Sequence, residues 1–248
     1  MARIIVPATV GGSVLVCDEG LSFWGGVDAE TGVIIDAHHP QRGQSLAGRV
    51  VLMPTSRGSC SGSGVLLDLA LAGKAPAALI FREAEDVLTL GAFVAVSMFD
   101  CKIAVLRLAG DAYAALAREG SASITPTTLS AGALTLALTP VSSSDVALTD
   151  DDRAVLGGRD GPAARTAMEI VCGMAAAQGA ERLTDVSRVH IDGCIYAAPA
   201  FLTFARKMAD MGGRVRVPTT MNAISVDHAN WRRQGVAESF GGPASRLA

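Results

Sequence analysis

One succession of residues constrains the fold more than any other. The apolar run Arg49-Val50-Val51-Leu52-Met53-Pro54 is followed by Arg57-Gly58-Ser59-Cys60-Ser61-Gly62-Ser63-Gly64 and then by Val65-Leu66-Leu67-Asp68-Leu69-Ala70-Leu71. The first run reads as a buried strand and residues 65–72 as a helix with an apolar face. A loop of small residues at such a junction points its backbone N–H groups into open space beside the positive end of the helix dipole, a place suited to negative charge. Either an anion is bound there or one of the loop side chains is made anionic. A serine hydroxyl works as a base only where preorganised donors stabilise its oxyanion, and Arg57 is placed to contribute. A plain glycine-serine turn from strand to helix fits the same pattern. The loop lacks the lysine of a P-loop. Gly58-Ser59-Cys60-Ser61-Gly62 carries cysteine where a nucleophile elbow has serine, which opens a rival reading: Cys60 as the nucleophile of a hydrolase, with His190 or His228 as base.

The pattern continues through strands at 78–81, 103–108 and 121–125, with helices at 85–93 and 111–119 between them. Alternation of this kind predicts an α/β layer structure. Upstream, residues 3–6 and 13–17 read as strands joined by a tight turn at Gly11-Gly12. Leu21–Gly32 reads as a structured loop and Val33–Ile35 as a short strand. Residues 134–138 make a further strand, and the abruptly small, polar stretch Thr139-Pro140-Val141-Ser142-Ser143-Ser144-Asp145 marks a linker. The predicted organisation is a domain at 1–140, a linker at 141–147 and a second α/β segment at 148–248. In that segment helices are expected at 150–156, 161–178, 198–211 and from 228, with strands at 186–191 and 214–217.

Composition narrows the function. With 248 residues, half of them hydrophobic, the chain can bury a sizeable core. A formal charge of −3, with no basic cluster beyond Arg232-Arg233, leaves no electrostatic footprint for nucleic acid. The longest apolar run, Val87–Phe99, is too short to span a bilayer and reads as core. The N-terminus enters a strand directly, without the apolar stretch of a signal peptide, so a cytoplasmic location is expected. The five cysteines are widely spaced and form no C-x-x-C pair, which argues against a disulfide framework or a self-contained metal site. Cys17, Cys101 and Cys172 read as inert core residues. The adjacent His38 and His39 read as fixing a loop rather than holding a metal.

A second polar cluster follows two later strands: Val189-His190-Ile191-Asp192-Gly193-Cys194, and Arg214-Val215-Arg216-Val217-Pro218-Thr219-Thr220-Met221-Asn222. Ligands of α/β proteins bind at the carboxyl ends of strands, where both clusters would sit. His190 alone is more often a structural histidine. Thr220 and Asn222 serve equally well as turn residues.

Together these stretches carry a family likeness. Leu21-Ser22-Phe23-Trp24-Gly25-Gly26-Val27-Asp28, Ile35-Asp36 with His39-Pro40, Gly43 and Ser45-Leu46-Ala47-Gly48, Arg57-Gly58-Ser59, and Gly73-Lys74-Ala75-Pro76-Ala77-Ala78 resemble the small swivelling domain of the aconitase X family. Residues from Leu148, including Gly161-Pro162-Ala163, Gly179-Ala180-Glu181-Arg182-Leu183, His190-Ile191 and 215–222, resemble the start of its large catalytic part. The resemblance implies a swivelling β/α small domain followed by a partial α/β catalytic domain, and a hydro-lyase using an iron-sulfur cluster. With the small domain fused first, it implies dehydration of cis-3-hydroxy-L-proline to Δ1-pyrroline-2-carboxylate, with mevalonate 5-phosphate or another hydroxy acid as the alternative.

By the same likeness Ser59 matches the serine that removes the proton, with Arg57 and Gly58 as its supporting loop. Gly193, Cys194, Thr220 and Asn222 fall on stretches expected to line the substrate. The family's cluster-binding cysteines lie beyond the region corresponding to Ala248, so the chain reads as an N-terminal portion whose partner is the remainder of the catalytic domain. A noncatalytic subunit or inactive remnant, valuable only for its interface, is the reading from another class.

Overall fold

Strands β3 (Val50–Met53) and β4 (Ala78–Phe81) are buried at every residue. Their side chains alternate between two cores: Val51, Met53, Leu79 and Phe81 face one, and Val50, Leu52, Ala78 and Ile80 face the other. A strand covered on both faces needs no polar side, which is why these runs read as continuous apolar sequence. Each large side chain so enclosed contributes roughly 1.5–3 kcal/mol relative to exposure.

The computed structural model describes residues 2–58, 61–150 and 162–182, together with strand segments at 189–191, 194–196, 214–219 and 222–227. Around the two central strands lie β1 (Ala2–Val6), β2 (Val10–Val16), β5 (Ala104–Leu108), β6 (Ser121–Ile124), β7 (Thr128–Ala131), β8 (Leu134–Ala137) and β9 (Thr139–Pro140). They form one nine-stranded sheet in the order β8-β7-β6-β2-β3-β4-β5-β1-β9. Strands β2 to β5 run parallel, while β6 pairs antiparallel with β2 and β1 antiparallel with β5. Helices α1 (Gly62–Leu71) and α2 (Val87–Phe99) are the crossovers from β3 to β4 and from β4 to β5. Both pack into the first core. Helix α3 (Asp111–Leu116) puts Tyr113 and Leu116 into the second. The protein is therefore α/β, as the alternation predicts.

Two expectations about the first strands are corrected. Gly11 and Gly12 form no turn between them: both lie inside β2 and pair with Ser123 and Ala122 of β6. A Cβ at Gly12 would collide with the carbonyl oxygen of Gly48, so the glycine admits a passing backbone rather than reversing the chain. Val33–Ile35 is not a strand but part of a loop stitched by the isolated bridges Val27–Ile34 and Val33–Ser45. Helix α1 begins three residues earlier than its apolar residues suggest, taking in Gly62, Ser63 and Gly64. These small residues let α2 come close: a Cβ at Gly91 would lie 2.7 Å from the Ser63 carbonyl oxygen. Helix α2 runs to Phe99, well past the expected 93, and ends on Asp100 in the left-handed region at φ 54°. The whole run from Val87 to Phe99 is one core helix.

The segment expected as a linker is tied down. Thr139 and Pro140 add a parallel edge strand to β1, Val141 and Val146 are buried, and Ser142 and Asp145 close a capping box on a 3-10 turn at Ser143–Asp145. Beyond it, helix α4 (Pro162–Ala177) lies close to the expected 161–178. Ile170, Val171, Met174 and Ala175 of α4 join the same core as α1 and α2, and a Cβ at Gly173 would be 2.8 Å from the ring of Phe93. Arg3 of β1 and Arg107 of β5 stand opposite one another in register. Arg3 donates to the Ala176 carbonyl oxygen and Arg107 to that of Ala177. Two cations thus meet the negative end of the α4 dipole, which offsets their mutual repulsion. Burial, followed by the charge of Arg3, lowers the Arg107 pKa from its ordinary value.

Hairpins β10 (Val189–Ile191) with β11 (Cys194–Tyr196) and β12 (Arg214–Thr219) with β13 (Asn222–Asp227) complete the described residues. The helices expected at 150–156, 198–211 and from 228 fall largely or wholly outside them. Among the described residues no helix is long and apolar enough to cross a membrane.

Candidate functional site

The parallel strands β2, β3 and β4 end side by side, and the loops leaving their carboxyl ends meet there, as they do at ligand sites of α/β folds. The first carries Asp18, Glu19 and Ser22, the second Ser56, Arg57 and Gly58, the third Glu85. Ser56 bridges Leu21 in parallel fashion, and the Arg57 amide donates to the Leu21 carbonyl oxygen at 3.2 Å. The small-residue loop is therefore laid along the loop after β2.

Gly58 has φ +93°, and a Cβ there would strike the Ser22 hydroxyl oxygen, which itself donates to the Trp24 carbonyl oxygen at 2.8 Å. The left-handed backbone and the contact both demand glycine. Gly58→Ala is expected to cost about 1–3 kcal/mol of stability, since a side chain in this left-handed conformation is strained and must also displace Ser22. Urea melts of the two proteins check this.

Arg57 is exposed, and both of its terminal nitrogens are engaged: Nη2 with Asp36 Oδ2 at 2.9 Å and Nη1 with Glu19 Oε2 at 3.4 Å. The guanidinium ties its own loop to two points of the β2–β3 connection, with two carboxylates facing one cation. Asp36 also accepts from the His38 amide at 3.0 Å, and that bond, followed by the one from Arg57, holds its carboxyl below the usual range. As exposed ion pairs these add little stability; their effect is to fix direction. His39 is buried, and its Nδ1 accepts from the Gln41 amide at 3.2 Å, so it organises the loop as expected.

Helix α1 starts at this place without a side-chain cap on its first turn from Ser61. Glu85, at the other side, is buried, and burial pushes its pKa up against the pull of its hydrogen bonds. Glu19, Ser22, Ser56 and Glu85 were not singled out from the sequence as site residues. Glu85 is the first residue of the helix expected at 85–93, and nothing in Arg82-Glu83-Ala84-Glu85-Asp86 distinguishes the enclosed carboxylate from its more exposed neighbours.

Of the residues expected at the site, Arg57 and Gly58 are brought together at the β3 exit. Ser59 and Cys60 lie outside the described residues, as do Gly193, Thr220 and His228. Cys194 opens β11 opposite Ile191, Asn222 opens β13 opposite Thr219, and His190 pairs with Ile195 within the first hairpin. Only the backbone of those hairpins is described.

The implied iron-sulfur cluster can be tested against the cysteines whose surroundings are described. Cys17 is buried, and burial, then Asp18, pushes its thiol up to about 12; Cys101 is pushed up to about 11 by burial, then Asp100. A cluster needs several cysteines gathered at one place. Among the described residues no group of three or more His, Cys, Asp or Glu could hold a metal ion. The described residues do not fit the cluster.

Comparison with known proteins adds the following. Residues 1–131 match the family model described as the aconitase X swivel domain, and residues 145–248 the one described as the aconitase X first domain. A cis-3-hydroxy-L-proline dehydratase of Pseudomonas aeruginosa is 47% identical over 100% of this chain and 44% of its own length. One from Hypocrea jecorina is 43% identical over 98% of the chain and 43% of its own. A phosphomevalonate dehydratase small subunit from Pyrococcus abyssi is 47% identical, over 34% of the chain and 65% of its own length. The chain spans less than half the length of the two dehydratases it matches from end to end.

Proposed function

The chain belongs to the aconitase X family, and from that premise we propose that the full-length protein is a hydro-lyase that removes water from cis-3-hydroxy-L-proline to give Δ1-pyrroline-2-carboxylate. One observation carries the choice of substrate: likeness to the hydroxyproline dehydratases runs the whole length of the chain, whereas likeness to the phosphomevalonate dehydratase small subunit stops at about a third of it.

In the proposed reaction Ser59 takes the proton from the carbon that bears the carboxylate, the C–H electrons form the new double bond, and the neighbouring hydroxyl departs to complete one molecule of water. The resulting enamine shifts a proton to become the cyclic imine. Ser59 can take that proton only as its alkoxide, which fixed dipoles must hold beforehand, and the start of α1, where Ser61 makes no side-chain cap bond, together with the Arg57–Gly58 turn supports this assignment. Arg57, committed to Asp36 and Glu19, acts by holding the turn in place. Gly193, Cys194, Thr220 and Asn222 are proposed to line the substrate from the second segment. In this reading Ser59 removes the proton and the described residues around it place its loop; assistance to the departing hydroxyl, and the cluster implied by the family, belong to the remainder of the protein.

The test is to supply the full-length product with cis-3-hydroxy-L-proline, its trans isomer and mevalonate 5-phosphate, following the loss of one water by mass spectrometry. Turnover of the cis isomer, slowed about threefold or more by deuterium at the carbon losing its proton, is the expected result. Turnover of mevalonate 5-phosphate alone would replace the substrate assignment.

A further inference from the structure

Glu85 is a buried carboxylate beside the small-residue loop that the proposed reaction leaves without a role. Four donors converge on it. Oε1 accepts from the Ser56 hydroxyl at 2.6 Å and the Leu88 amide at 2.7 Å; Oε2 accepts from the Thr89 amide at 2.9 Å and lies 2.9 Å from the Thr89 hydroxyl. That hydroxyl is also 2.7 Å from the Glu85 carbonyl oxygen. The two amides belong to the first turn of α2, whose N-cap residue Asp86 makes no side-chain cap hydrogen bond of its own. Glu85 therefore caps α2 from one residue further out, where the helix dipole favours a carboxylate. A buried carboxylate satisfied by four donors is also expensive to disturb, because any donor removed leaves part of its charge uncompensated.

Ser56 is the one donor in this set that comes from outside α2 and its approach. It stands three residues before Ser59. The chain on the far side of Ser59 rests on the same helix turn: a Cβ at Gly62 would lie 3.4 Å from Val87 Cγ1 and 3.7 Å from Leu88 Cδ2, and Ser63 is the close neighbour of Gly91. Residues 56 and 62, on either side of the loop, are thus referenced to the first turn of a single helix. Thr55 and Pro54 add to the near side, the Thr55 hydroxyl donating to the Ala84 carbonyl oxygen at 3.4 Å and the Pro54 carbonyl oxygen accepting from the Glu83 amide at 3.0 Å.

We propose that Glu85 is a positioning residue: through the Ser56 hydroxyl it sets where the Arg57-Gly58 turn, which leads into Ser59, stands relative to the start of α1. The inference rests on the reading of Ser59 as the proton acceptor, and it assigns to Glu85 no contact with substrate. Ser56→Ala severs the tie to the loop and leaves the α2 cap intact, while Glu85→Gln keeps the shape but replaces one accepting oxygen by an amide donor.

The experiment measures kcat and KM of the full-length enzyme for cis-3-hydroxy-L-proline, with amide hydrogen exchange of the peptides covering 54–64 and 78–81. For Ser56→Ala and Glu85→Gln the expected result is a fall in kcat of about tenfold with KM within about twofold. Exchange should rise about tenfold in the 54–64 peptide and not in 78–81. Ser56→Thr, which restores a hydroxyl, is expected to recover kcat to within about threefold. Wild-type kcat and exchange in Ser56→Ala would overturn the proposal, as would losses in which exchange rises equally in both peptides, the mark of general destabilisation. Ser59→Ala run in parallel separates this inference from its premise: turnover surviving in Ser59→Ala sinks the reading of the reaction, while the exchange in Ser56→Ala still decides whether Glu85 holds the loop.

Discussion

Replacing Ser59 with Ala in the full-length enzyme is expected to lower kcat by about 10³-fold while KM for cis-3-hydroxy-L-proline stays within about twofold. The asymmetry follows from what the substitution removes. Alanine keeps the backbone of the turn and every amide around it, so a substrate held elsewhere still binds; only the oxygen that accepts the proton is lost. A general base contributes about 10²–10⁴ in rate, and the two described hydroxyls beside the turn, Ser22 and Ser56, are committed to the Trp24 carbonyl oxygen and to Glu85. Rapid mixing with substrate deuterated at the scissile C–H adds a second reading. Binding of normal affinity without release of the label places the block at proton transfer, and an unchanged kcat would remove Ser59 from the reaction.

The largest effect on stability is expected at Gly12, far from any chemistry. In Gly12→Ala the new methyl group would meet the Gly48 carbonyl oxygen, a backbone atom that has no rotamer to escape into. Either β2 separates from the neighbouring chain or the Gly48 turn shifts, and each breaks packing of the central sheet. The cost is placed at about 3 kcal/mol, equivalent to about 6–12 °C in Tm for a chain of this size. Two neighbours supply the scale. At Gly11 the Cβ would sit 3.0 Å from the Ala122 carbonyl oxygen, a tight contact that small shifts relieve, and at Gly120 nothing lies within 4 Å. The order of destabilisation in urea melts should be Gly12→Ala, then Gly11→Ala, then Gly120→Ala. A Gly12→Ala variant as stable as wild type would mean that the close approach of these backbones is absent in solution.

Much of this architecture is legible in the order of residues because local and global preferences agree. Val50–Met53 and Ala78–Phe81 are apolar at every position, as strands covered on both faces must be, and the apolar runs after them are recognisable as helices, though not to their ends. Where reading failed, a tertiary contact had overruled a local signal. Gly11-Gly12 looks like a turn because glycine usually serves flexibility, but here it serves proximity to Gly48. Gly62-Ser63-Gly64 looks like loop because these residues disfavour helix, yet they are the residues that let α1 approach α2. Thr128–Ala131 went unread as a strand because Thr-Leu-Ser-Ala after Pro126 has a weak alternation that only its neighbours complete. At the site, Arg57 and Gly58 stood out through the unusual composition of their loop. Ser56 and Glu85 did not, since a half-buried serine-carboxylate hydrogen bond across 29 positions leaves no periodic trace.

The helix that follows residue 161 shares one hydrophobic interior with the sheet that precedes residue 138, and its last carbonyl groups are gripped by Arg3 and Arg107. Cutting the polypeptide between the two family segments would therefore strip an oily seam bare on both fragments, around Phe93 on one and Met174 on the other. Gene fission at that junction would leave two polypeptides that must meet again along the same seam, which would then serve as a subunit interface.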